Sequence, residues 1–221
     1  MKKVILLILV FSVSILLTSC GKKETAGTDS KDKTEKKTED KKDIAFSDNS
    51  AYHIKYEASG EKEKGTLDIF FKGKSVKMDI NLDEGGKKSL SNMYFADKIV
   101  YIVADVAGNK VGMKMDVSQE MDKDPSRDLV NLKDKLKDYE KVGTDEILGY
   151  KCDVYQTKEG SKISVYKDYI GLKMVEKSGK TFIATAFEPD IKLANDFFSP
   201  PKDIEFKDMG NMKDMMKGFT K

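Results

Sequence analysis

From residue 51 onward the side chains alternate with a period of two, and this constrains the fold more than any other feature of the chain. In YHIKY, Tyr52, Ile54 and Tyr56 fall on one side, with His53 and Lys55 on the other. In VKMDINL, Val76, Met78, Ile80 and Leu82 alternate with Lys77, Asp79 and Asn81. Successive side chains of a strand point to opposite faces, so this pattern predicts strands with one face on an apolar core and one in water. It recurs over residues 66–71, 89–96, 99–104, 110–117, 142–148, 150–157, 162–167, 172–177 and 181–187.

The links between these stretches are short and carry turn chemistry: Lys72-Gly73, DEGGKK, AGNK, KEGSK and SGK. Links of this length join antiparallel neighbours, because a parallel crossover needs a dozen or more residues. The expectation is about ten or eleven strands in one continuous meander, forming one mainly β domain over residues 48–208. One helix interrupts it. Asp124 can cap it, Pro125 suits its first position, and Leu129, Leu132, Leu136 and Tyr139 make one stripe. That stripe needs an apolar partner, which the mouth or concave face of a curved antiparallel sheet supplies.

Before the strands the chain changes character twice. Lys2 and Lys3 precede an apolar run from Val4 to Leu17, too short to span a bilayer comfortably and laid out as a secretory signal. The run ends in Leu17-Thr18-Ser19-Cys20, which resembles the bacterial lipobox. The resemblance implies a signal peptide over residues 1–19, a lipid on Cys20 and attachment to a membrane of the bacterial envelope. Gly21, where an aspartate would favour the inner membrane, implies the periplasmic side of the outer membrane in a Gram-negative cell. Residues 20–47 are Lys, Glu, Asp, Thr, Ser and Gly with almost no apolar side chain, a composition that predicts a disordered tether. A flexible chain of that length reaches about 25–30 Å.

Charge excludes one class of partner. Of 40 Lys+Arg, Lys2 and Lys3 lie in the signal, so the remainder balances the 38 Asp+Glu. Nucleic-acid binders carry a basic excess on one face. Enzyme chemistry finds few candidates. His53 is the only histidine, on the polar side of the first strand, and no nucleophile elbow, phosphate-cradling loop or dinucleotide fingerprint appears. A non-enzymatic protein without a cofactor is expected. Cys152 alternates with Tyr150 and Val154, as a small core side chain would. At the C-terminus, over residues 209–221, Met209, Met212, Met215, Met216 and Phe219 recur at helical spacing. They suit an amphipathic cover packed by methionines, or alternatively a soft thioether site for Cu(I).

Three stretches resemble one family: ILGYKCDVYQ, KISVYKDYIGLKMVEKSG and FFSPPKDIEFKDM. They are similar to uncharacterised bacterial envelope domains related to the LolA/LolB lipoprotein carriers, at Gly149, Tyr150, Cys152, Tyr155, Phe198 and Pro201. The resemblance implies an unclosed half-barrel with helices over a hydrophobic cavity, and a lipid or acyl-chain ligand. Val76, Met78, Ile80, Met113 and Met115 are then expected to line the site, with Leu129, Leu132, Leu136 and the methionine-rich tail as covers. The alternatives are a structural or interaction lipoprotein with a filled core, and a copper-binding envelope protein.

Overall fold

A computed structural model describes residues 50–61, 63–96, 98–106, 108–118 and 132–211. The signal peptide, Cys20, the tether, the start of the expected helix with Leu129, and Met212, Met215, Met216 and Phe219 lie outside the described residues.

Each alternating stretch is a strand. They are β1 (Ala51–Ser59), β2 (Glu63–Lys72), β3 (Ser75–Glu84), β4 (Lys87–Ala96), β5 (Ile99–Val106), β6 (Asn109–Asp116), β7 (Glu140–Ile147), β8 (Tyr150–Gln156), β9 (Lys162–Tyr166), β10 (Ile170–Val175) and β11 (Thr181–Pro189). A twelfth, β12 (Phe206–Asn211), follows. All twelve belong to one unclosed sheet, ordered β12-β6-β5-β4-β3-β2-β1-β11-β10-β9-β8-β7.

The single meander is corrected by this order. Strands β1–β6 form one antiparallel meander and β7–β11 a second, and the two meet where β1 pairs with β11. The β12 strand, at the opposite edge, pairs with β6 in parallel. Residues 190–205 carry the chain from β11 past the strands between to the β6 edge. They form a strap over the sheet. The Ile191 N–H donates to Ala51 O (3.2 Å), and Lys72 Nζ reaches Leu193 O (2.6 Å) and Asn195 Oδ1 (2.9 Å). A 3₁₀ turn at Asn195–Phe198 then brings Phe197 onto Phe70 of β2, with centroids 5.0 Å apart.

Of the expected helix, the described part is one turn, α1 (Lys133–Leu136). It stands with the second meander. The Leu132 N–H donates to Tyr169 O, and a Cβ on Gly171 of β10 would lie 3.3 Å from Leu132 Cδ1. Between β7 and β8 the chain turns through Leu148 (φ 54°) and Gly149 (φ 76°), the doubly left-handed geometry that suits the twist of a tight hairpin.

Candidate functional site

Register across β1–β6 resolves the alternation into rows. On the inner face one row runs Tyr52, Phe71, Val76, Phe95, Val100, Met115. All six are buried, Val76 completely. The next row runs Ile54, Ile69, Met78, Met93, Ile102, Met113, and a third passes through Tyr56, Leu67, Ile80, Ser91, Ala104 and Val111. The five sheet residues expected to line a site therefore share one face. Leu132 packs against the second meander, and Leu136 is buried.

The first row stays buried from Tyr52 to Met115. In the second, Ile54, Met78 and Met93 are 2–5% exposed while Ile69, Ile102 and Met113 are half-buried, and in the third Val111 on β6 is 44% exposed. Lys207 of β12 is the register partner of Met113, which places a cation beside the apolar surface. Met209 is a strand residue, where a helix was expected. Met93, Phe95 and Ile102 belong to the same face, beside the five residues expected to line a site. Tyr94, between Met93 and Phe95, puts a third large side chain in this strand, on the opposite face. Unbranched, polarisable methionines adapt to irregular apolar partners.

The opposite face is polar with an aromatic band. His53, Phe70, Lys77, Tyr94, Tyr101 and Lys114 form one row across six strands. The strap follows this row. Lys77 Nζ stands 4.3 Å from the Phe197 ring centroid, Phe206 meets Tyr101 edge-on at 5.2 Å, and Asp208 pairs with Lys114 at 3.4 Å. His53 stacks on Phe70, with Nε2 2.8 Å from Asp68 Oδ1 and Nδ1 3.5 Å from Glu188 Oε2. Both ring nitrogens are thus engaged by carboxylates, and no nucleophile is among these contacts.

A second polar cluster lies on β7, β9 and β10. Asp145 Oδ2 accepts from Ser164 Oγ and from Lys173 Nζ, each at 3.1 Å, and Oδ1 accepts the Glu146 N–H at 2.9 Å. Burial pushes the Asp145 carboxyl up, but the bonds from Lys173, Glu146 and Ser164 outweigh it and hold the group below its ordinary value. The cluster braces strands. Cys152 is 1% exposed, and burial is the main cause raising its thiol to about 11. Among the described residues no group of three or more His, Cys, Asp or Glu is placed to hold a metal ion.

The chain is thus a mainly β protein, an unclosed curved sheet with an apolar inner face and a strapped outer one. It belongs to a family described only as a domain of unknown function, DUF4412, whose model matches residues 53–169. No curated protein matches the chain. Among solved structures, an uncharacterised conserved protein from Thermus thermophilus aligns with TM-score 0.47 and 10% identity, over 72% of this chain and 91% of that one. A chain of the MucA/MucB complex of Pseudomonas aeruginosa aligns with TM-score 0.38 and 14% identity, over 72% of this chain and 58% of that one. A PNGF-II structure aligns with TM-score 0.41 and 13% identity, over 77% of this chain and 33% of that one. The chain therefore spans about a third of PNGF-II and a little over half of the MucA/MucB chain.

Proposed function

We propose that the protein is a lipid-anchored envelope lipoprotein whose β domain is a non-enzymatic binding module for an apolar ligand, a lipid or acyl chain. The observation that carries this reading is the row Met78, Met93, Ile102, Met113, which passes from closed core to half-open surface on one face. That row leaves a partly exposed apolar strip on which an apolar chain could lie. Each methylene of an acyl chain laid there gains about 0.8 kcal/mol. Lys207, beside Met113, suits an anionic head group at the rim. Lipidation at Cys20 would hold the module at the membrane from which such ligands come, with the tether as its radius of action.

The test is native mass spectrometry, with metal analysis, of the full chain released from its own envelope. A co-purifying lipid that is lost on Ile102→Glu supports the reading. No bound mass leaves the filled-core interaction lipoprotein, and stoichiometric copper lost on replacing Met212 and Met215 supports the thioether alternative.

A further inference from the structure

The two meanders are unequally joined to β11. On one side β11 pairs with β1 along nearly its whole length, from Tyr52 opposite Pro189 to Ser59 opposite Thr181. On the other it pairs with β10 only at Lys173–Ile183, Met174–Phe182 and Val175–Thr181. Beyond these residues Ile170 and Gly171 remain on β9, opposite Tyr166 and Val165, while Ala184 to Pro189 remain on β1. The backbone ladder ends there, and side chains bridge the divergence. Tyr56 Oη donates to Gly171 O at 2.6 Å, and the Phe187 ring meets Tyr150 at 5.3 Å and Tyr166 at 6.5 Å.

We infer that β7–β10 and α1 form a leaf that swings about the short β10–β11 junction, with the Tyr56–Gly171 hydrogen bond and the Phe187 seam as its latch. Inside the leaf the joints are continuous. The β7, β8, β9 and β10 strands pair in succession, Asp145 ties β7 to Ser164 and Lys173, and Leu132 is fixed to Tyr169. The rest of the sheet is held separately, by full-length pairing of β1–β6 and by the strap. Among the described residues, opening breaks three residues of ladder, the Tyr56 hydroxyl bond and the ring contacts of Phe187, while each part keeps its own pairing. Movement of the leaf would uncover Tyr52 and Ile54 at the closed end of the apolar rows and admit a long chain. That role rests on the apolar-ligand reading; the hinge does not.

Native-state hydrogen exchange of the full chain tests the hinge without any ligand. The amides of β7–β10 are expected to exchange together, through an opening that leaves β2–β5 protected. Tyr56→Phe should accelerate that block about fivefold, the worth of one hydrogen bond, and leave β2–β5 unchanged. Phe187→Leu, which thins the seam but keeps the hydroxyl, should accelerate the same block. Equal exchange of the two blocks, or equal acceleration of both by either variant, would overturn the hinge. Lipid co-purification is read independently, so a failed hinge and a failed ligand give different results.

Discussion

Cys152 lies opposite Asp145 on β7, and its Sγ–H donates to Tyr150 O at 3.5 Å. With its thiol raised to about 11 by burial, it should resist an impermeant maleimide at pH 8 in the native state. Labelling should proceed only at the rate of unfolding; stoichiometric modification within minutes, with the fold intact by circular dichroism, would show an open thiol. Its burial was legible because Tyr150, Cys152 and Val154 share the apolar phase of β8. The Asp145 cluster was not, because Ser164 and Lys173 come from strands that sequence does not place beside β7. Asp145 also carries a pH dependence. A carboxyl held below its unfolded value stabilises the fold above that value, about pH 4, and the benefit is lost as pH falls through the folded one. Asp145→Asn should therefore cost stability at pH 7, by less than about 1 kcal/mol because the group is partly solvated. The variant's loss between about pH 5 and pH 2 should be smaller than wild type's in urea melts.

At the scale of elements, period-two alternation found eleven of the twelve strands, since a half-buried strand must show it. The twelfth lacks it: FKDMGN bends through a register shift between Asp208 and Asn211, with Gly210 at φ 72°. Strand order was also out of reach. Alternation says which side chains share a face but not which strands are neighbours, and the β1–β11 pairing joins distant parts of the chain. The place of β12 depends on a missing side chain. A Cβ at Gly112 would fall 2.6 Å from Glu205 O and 2.7 Å from Ile204 Cγ2. Gly112→Ala should thus push the strap off β6, at about 1–3 kcal/mol. Limited proteolysis should then cut between residues 199 and 207, whereas Gly143→Ala, whose Cβ meets nothing within 4 Å, should keep the wild-type pattern. Identical digestion of all three proteins would mean the strap is not held through Gly112.

An unclosed sheet has two edges, and across the whole molecule they are finished differently. One ends in β12, held down by the strap and by the Lys114–Asp208 pair. The other ends in β7, whose first five residues are exposed and whose partner among the described residues is β8. Unpaired edges recruit further strands unless something blunts them. Here β7 carries Glu140, Lys141, Asp145 and Glu146, shifts register between Lys141 and Gly143, and turns the Glu146 N–H onto Asp145 Oδ1. Charge, irregularity and a self-satisfied donor act together at the edge that nothing else among the described residues covers. This predicts that the combined variant Lys141→Thr and Glu146→Val, which flattens the charge while raising strand propensity, will self-associate at concentrations where the wild type does not. Light scattering should register the change, and it should persist at high salt, because it comes from backbone pairing and not from altered net charge. A double variant that scatters like the wild type would show that the bulge and the Asp145 contact suffice, and that the charges on β7 serve the strand pairs within the sheet, as Lys141 does with Asp153 at 2.6 Å.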